Sequence, residues 1–431
     1  MQAQERLEEL LKKKGIGPQG SKSLHTLELE EITLLMKHPE VSLTTKTTIL
    51  TALLTLEPNE DEKEWLEKLK IQPEKKLPPQ AVGLISTKES DSLYTLIRKI
   101  INHSELSEEE CKTAIKSLLD PAIPDYLKGP FLEAERLKRE TFAENKAFFS
   151  TLWNASKRES INLPLLIDIC DSYDGSNRTP LYSVFTAALL ASAGFPTLIH
   201  GIERVAPKNG ITSHQILKKA KKNPLISMAT AKNILMNKEI GWAYLDQAIF
   251  FPALEALTQM RKEMVKRPFL ATFEKLLQPI QNTGGNLLVT GFTHPHYREE
   301  LVKQLKAQNE CAKAIVLKGT EGSTQLSLSK ESVCVFYDGS IVSDQMIHPK
   351  DYAIEELERK TDKSITAETS LHEGLAALGG EKNYAYHNIL YSASLYLEKF
   401  TKMNKVEIRN LFTKCLDSGK AKQHWDKGQI S

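Results

Sequence analysis

LPLLIDICDSYDGSNRTPLYSVFTAALLASAGFPTLIHG, residues 163–201, reads as strand, polar loop, buried helix and second strand. Leu163 to Cys170 is an apolar run without polar alternation, the pattern of a strand covered on both faces of a parallel sheet. Asp171, Ser172, Asp174, Gly175, Ser176 and Asn177 supply turn chemistry, and Thr179-Pro180 reads as an N-cap with proline at the first helical position. The helix is therefore expected from Pro180. Leu181 to Ala193 is almost wholly apolar or small, so this helix has little solvent face; Gly194 closes it and Phe195 to Ile199 is the next strand. So compact a strand-helix-strand unit crosses over to a parallel neighbour, and ligands in such sheets bind at the carboxyl ends of the strands. Asp171 to Thr179 and His200 to Arg204 are thus expected on one rim.

The chain of 431 residues is long enough for two or three domains, and its formal net charge of +2 argues neither for nor against a polyanion partner. Cys111, Cys170, Cys311, Cys334 and Cys415 have no CxxC spacing and read as reduced core thiols. The N-terminus lacks the apolar stretch of a secretory signal, and no segment approaches the length of a membrane span, so a cytoplasmic protein without membrane contact is expected.

Before the central unit the chain is helical. Glu5 to Lys14, Leu27 to Lys37 and Leu43 to Leu56 read as helices, and the segment with Pro73, Pro78 and Pro79 reads as a linker. Leu27-Glu28-Leu29-Glu30-Glu31 followed by Glu60 to Trp65 is echoed by Leu106-Ser107-Glu108-Glu109-Glu110 followed by Arg139 to Glu144. Either the first 80 residues are a degenerate duplicate of a helical bundle, or acidic helix starts coincide by chance. After the central unit, strands are expected at 240–245, 287–293, 312–317 and 333–337, with helices at 250–264 and 297–307, which is α/β arithmetic. Glu373 to Ala377, Asn383 to Phe400 and Lys405 to Lys420 return to helix.

The central stretch resembles the phosphate-binding core of the anthranilate phosphoribosyltransferase superfamily (glycosyltransferase family 3), whose first loop reads roughly GTGGD before a Thr/Ser helix start and whose second strand ends in KHGNR. Here these become Asp171-Ser172-Tyr173-Asp174-Gly175, then Thr179 and Ser183, then Ile199-His200-Gly201-Ile202-Glu203-Arg204. The likeness is nearer to the YbiB-type branch, through Ser172 to Gly175, Thr179-Pro180, Leu198 to Gly201, Thr293-His294-Pro295-His296-Tyr297 and Gly319-Thr320-Glu321-Gly322, and covers roughly residue 90 onward. It implies a helical bundle domain packed on a mainly parallel α/β domain of nucleoside phosphorylase/phosphoribosyltransferase type. The division expected is 1–80 extension, 81–155 family helical domain and 156–431 α/β domain. Association as a homodimer through the helical domain is also implied.

A phosphoribosyltransferase needs amides and glycines near a pyrophosphate, a lysine to neutralise it and carboxylates to hold Mg²⁺. Carried over by position, the loop glycines fall on Asp171, Tyr173 and Asp174, the lysine on Ile199, and the metal-binding Asp-Glu pair on Ser323-Thr324 or Thr324-Gln325, leaving Glu321 as the one nearby carboxylate. Asp171 and Asp174 either cap the loop or hold a cation. The expected ligand rim is Ser172, Tyr173, Asp174, Gly175, Thr179, Ser183, His200, Gly201, Arg204 and Arg267. Arg267 enters through the family's RxxxxxR spacing with Arg261, and either faces the rim or is a solvated helix end.

For nucleic acid the signal is clustered cations. Lys208, Lys218, Lys219, Lys221 and Lys222 form the densest basic region, with Lys232 and Lys238 nearby, and the alternative is a solvated helix face. Tyr173, Trp242 and Tyr244 are candidates for base stacking or for core. His294 and His296 have no third ligand at metal spacing, and Asn388 either corresponds to the helix asparagine that the family resemblance implies or, more simply, is a helix-surface amide. The expectation is a phosphoribosyltransferase-like protein with a degraded donor site. It would bind single-stranded nucleic acid or another polyanion, or a small phosphorylated ligand, and need no cofactor or metal. The alternative is an active pentosyl or phosphoribosyl transferase acting on an aromatic amine or base with Mg²⁺; a third reading makes the first 80 residues a partner-binding module.

Overall fold

The structure, a computed structural model, describes residues 2–17, 20–86, 92–308, 310–355, 357–359 and 365–429. They divide into two compact units, residues 1–154 with 256–271, and residues 155–255 with 272–431.

The first unit is helical. Its main elements are α1 (Ala3–Lys14), α2 (Thr26–Leu35), α3 (Leu43–Thr55), α4 (Glu60–Ile71), α5 (Ser92–Ile101), α6 (Glu108–Leu119), α7 (Asp125–Lys138) and α8 (Phe142–Ala155). Side-chain caps start many of them: Ser42 accepts from Thr45 N, Asn59 from Glu62 N and Ser107 from Glu110 N. The proline-rich segment expected as a linker instead forms two short helices, Pro73–Lys76 and Pro79–Val82, with Leu77 and Ala81 buried. Prolines at the first helical position start turns here rather than loosen the chain.

In the second unit β1 (Glu159–Ile161) pairs with β5 (Ile280–Asn282). The main sheet holds β2 (Ile167–Cys170), β3 (Thr197–Gly201), β4 (Trp242–Asp246), β6 (Asn286–Gly291), β7 (Cys311–Leu317), β8 (Ser332–Asp338) and β9 (Ile341–Ile347) in the order β4-β3-β2-β6-β7-β8-β9. The pairs from β4 to β7 are parallel, and β7-β8 and β8-β9 are antiparallel. The β9 hairpin strand was not expected, because its edge position leaves Ile341 and Met346 exposed and its pattern reads as loop.

Helix α9 (Ser183–Ser192) is buried at every residue, as its composition requires, and Phe185 stacks on Trp425. It starts at Ser183 rather than Pro180, because Thr179 and Pro180 are held in the preceding loop by long-range partners. The helix expected over 250–264 is instead three short pieces at 247–250, 252–255 and 258–263. Pro252 ends the first piece, and the chain changes unit at residue 256. Asn388, expected at a helix surface, is fully buried and donates to Leu326 O at 2.7 Å. All five cysteines are buried free thiols. No helix among the described residues is long and apolar enough to cross a membrane.

Candidate anion site at the strand ends

The carboxyl ends of β2, β3 and β4 bring the two expected rim segments together, with Asp171 N donating to His200 O at 3.0 Å. Asp171, Ser172, Tyr173 and His200 pack there into a buried polar core, while Asn177, Arg178, Glu203 and Arg204 remain exposed. Asp171 accepts from Ser183 Oγ at 2.7 Å and from Ser213 N at 3.1 Å. Burial pushes the Asp171 carboxyl up, opposed by those hydrogen bonds.

Tyr173 and His200, expected at the rim, are buried, with Tyr173 OH 2.7 Å from His200 Nδ1. Apolar surroundings depress His200 to about 3, so the ring is neutral, and they raise Asp168, whose Oδ1 lies 3.6 Å from His200 Nε2, to about 7. The base-stacking reading therefore fails for Tyr173, and also for Trp242 and Tyr244, which are fully buried. Tyr244 OH donates to Asp246 Oδ2 at 2.9 Å, and the same oxygen lies 2.7 Å from His214 Nδ1.

Gly175, at φ 75°, serves loop packing. A Cβ there would lie 2.3 Å from the Gly210 carbonyl carbon, so the two glycines let the 171–179 loop and the 208–211 turn zip together, with Gly210 N on Asp174 O and an exchange of bonds between Ser176 and Ile211. Ser172 is buried, and its hydroxyl reaches Asp174 Oδ1 at 3.2 Å within the loop.

The backbone amides of the loop do converge on an anion, and that anion belongs to the chain. The Glu321 carboxylate accepts from Asn177 N at 3.1 Å, Arg178 N at 2.7 Å, Thr179 N at 3.0 Å and Ser176 Oγ at 2.6 Å. Lys208 Nζ adds an ion pair at 2.8 Å, and the Glu321 side chain is 5% exposed. Burial alone would raise this carboxyl, but the Lys208, Ser176, Asn177 and Arg178 bonds outweigh it and bring it down to about 2. Glu321 sits at φ 53°, in the left-handed region where a branchless residue is at ease and a glutamate is strained. Its turn lies across the end of β6, where a Cβ on Gly291 would come within 2.2 Å of Ser323 O. The glycine at the end of the intervening strand is what allows a residue after β7 to reach the loop after β2. GTEG, with its flanking glycines, marked the turn in the sequence; only the fold shows where its carboxylate goes.

The Mg²⁺ positions do not fit a metal. Gln325 spends its amide on Tyr182 N at 2.8 Å and Pro180 O at 3.0 Å, Glu321 is taken up by the amide nest, and Asp171 by its serines. Among the described residues no three His, Cys, Asp or Glu side chains group as a metal site, and His294 and His296 are exposed.

The expected basic cluster is divided. Lys208 belongs to Glu321, and Lys222 lies over the Trp425 ring at 5.2 Å and donates to Gly428 O at 2.5 Å. Lys218 pairs with Glu203 at 2.9 Å, and Lys232 with Glu159 at 3.0 Å. Arg204, Lys218, Lys219, Lys221 and Lys238 are exposed. Arg261 and Arg267 belong to the helical unit.

Residues 94–155 match the family described as glycosyl transferase family, helical bundle domain. Over 337 residues the chain is 23% identical to the anthranilate phosphoribosyltransferase of Lachnoclostridium phytofermentans, covering 77% of this chain and 96% of that protein. Over 266 residues it is 24% identical to that of Synechococcus sp. strain JA-3-3Ab, covering 62% and 75%. Its fold is similar to the anthranilate phosphoribosyltransferase of Thermus thermophilus, with a TM-score of 0.64 at 20% identity over 77% of this chain and 97% of that one. It is similar also to the Saccharomyces cerevisiae enzyme in complex with PRPP and Mg, with a TM-score of 0.64 at 16% identity over 78% and 96%.

Proposed function

We propose that this chain is a member of the superfamily containing the anthranilate phosphoribosyltransferases, and that it is a phosphoribosyltransferase-like protein whose donor loop does not carry out transfer from a phosphoribosyl donor. The observation that carries this is Glu321, which fills the nest of amides at Asn177 to Thr179 that a dianion would need. The missing loop glycines, the missing lysine at Ile199 and the committed Gln325 point the same way. Purified protein given phosphoribosyl pyrophosphate, Mg²⁺ and anthranilate or another aromatic amine or base is expected to release no pyrophosphate above the protein-free control. Release proportional to protein would overturn the proposal in favour of an active transferase with an altered donor grip.

The role we assign to it instead is binding of single-stranded nucleic acid or another polyanion. Arg204, Lys218, Lys219 and Lys221 support it, being exposed and drawn together where the Glu203–Lys218 pair ties α10 (Ser213–Lys219) to the loop after β3. Contacts of this type are to phosphates, so binding falls steeply with salt and tolerates sequence. Fluorescence anisotropy with labelled single-stranded DNA at two salt concentrations tests it. Joint substitution Lys218→Ala, Lys219→Ala and Lys221→Ala is expected to weaken binding and flatten the salt slope. Binding that is absent at low salt, or unchanged in this variant, removes this surface as the site.

A further inference from the structure

The first 71 residues hold a second copy of the helical bundle. Helices α2, α3 and α4 begin at 26, 43 and 60, and α6, α7 and α8 at 108, 125 and 142, a constant displacement of 82 positions. Hydrogen bonds between distant residues repeat at the same displacement. Leu24 N donates to the buried Glu62 at 2.9 Å, and Leu106 N to the buried Glu144 at 2.8 Å. Each glutamate also closes a reciprocal cap, with Asn59 in one copy and Thr141 in the other. Glu28 reaches back to His25 N as Glu110 does to Ser107 N. Buried Lys46 donates to the carbonyl of His38 at 2.7 Å, and buried Lys128 to that of Asp120 at 2.8 Å. Acidic helix starts are common, but four long or reciprocal bonds in one register are not a chance likeness. The register also corrects the sequence echo, which aligned the acidic runs and so placed Leu27, rather than Leu24, opposite Leu106.

The two copies face each other through equivalent helices. α3 is buried at nearly every position, α7 along most of its length, and they meet tightly at Gly129. A Cβ there would lie 2.8 Å from Thr44 Cγ2 and 3.1 Å from Thr48 Oγ1. Thr44 and Thr48 bracket Thr47, the residue equivalent to Gly129. Contact between equivalent positions is the mark of an isologous, twofold-like interface, the arrangement of a symmetric dimer. Small residues make the approach possible, and the hydroxyls of Thr47 and Thr48 remain satisfied, Thr47 Oγ1 on Leu43 O and Thr48 Oγ1 on Thr44 O.

We infer that residues 1–71 act as this chain's own partner: the duplicated copy occupies the self-complementary face of α7, and the protein is monomeric through this face. This replaces the expectation of a homodimer formed by the helical domain. Because α3 and α7 are joined in one chain, the pairing forms at the high effective concentration of an intramolecular contact and excludes a second molecule.

Light scattering on the full chain is expected to give one particle near the chain mass of 48.5 kDa. A particle of twice that mass has one of two origins, which the double variant Thr44→Cys/Gly129→Cys distinguishes. The five native thiols are buried, so oxidation should join the new pair alone. Expected on a non-reducing gel is a reducible mobility shift of the monomer band. A covalent dimer band would show that α3 pairs with α7 of another chain and overturn the inference. A dimeric particle whose disulfide stays intrachain would overturn the monomer and leave the pairing of the copies intact. Should the variant not fold, the mass of the unmodified chain decides the oligomeric state.

Discussion

At the scale of single residues, Glu321 and Asp168 titrate in opposite directions. Glu321 falls to about 2 from an ordinary value of 4.5, so its stabilisation is fully present above pH 4.5 and lost as pH falls towards 2. At neutral pH the shift corresponds to at most about 3 kcal/mol. Glu321→Gln, which keeps the shape but turns a donor towards Lys208 and the amides, is expected to lower unfolding free energy by about 2–3 kcal/mol at pH 7, read from urea midpoints. The deficit should narrow below pH 4.5. Asp168 is raised to about 7 from 3.8, so its burial costs nothing below the lower value and most above the higher one. Asp168→Asn keeps an acceptor for Asn286 Nδ2 and removes the charge. It is expected to stabilise the fold, by about 2 kcal/mol more at pH 8 than at pH 5.5. A variant less stable than the parent at pH 8 would show that the carboxylate is compensated by a group other than Asn286.

At the scale of elements, glycines decide which segments can meet. Gly374 in the helix Ala367–Leu378 lies against α9, where a Cβ would come within 2.3 Å of the Phe185 ring. Phe185 is fixed in turn by Trp425, which stacks on Trp242, so the ring has little room to retreat. Gly374→Ala should therefore cost about 1–3 kcal/mol by overpacking, despite the better helix propensity of alanine. Thermal melting with near-ultraviolet circular dichroism checks both the loss and the disturbance of the tryptophan stack. Unchanged melting would mean that the helix shifts freely. The strand-helix-strand order was legible because a run such as Leu181 to Ala193 has no solvent face to offer. The start of that helix was misread, since Thr179-Pro180 carries a local cap signal that the bonds from Glu321 and Gln325 override.

At the scale of the whole molecule, the helical unit is discontinuous. Residues 256–271 return to it, with Met260 buried and Glu263 O accepting from Thr45 Oγ1 at 2.9 Å. A fragment of residues 1–154 is expected to melt lower than the same fragment carrying 256–271 on a flexible linker, and equal melting temperatures would show that the return segment contributes no stability. By itself the sequence determined the class of fold and the parallel core around residues 163–201, because burial period and turn chemistry are local properties. It also held the echo between the two helical copies, though in the wrong register, since acidic helix starts repeat more visibly than the bonds that define them. Only the tertiary structure decided that Glu321 fills the amide nest, that Lys208 and Lys222 are already committed, and that the copies pair through Thr44, Thr48 and Gly129. Each of these joins residues far apart in the chain, and the partner of a buried charge is set by how strands and helices pack rather than by its neighbours in sequence.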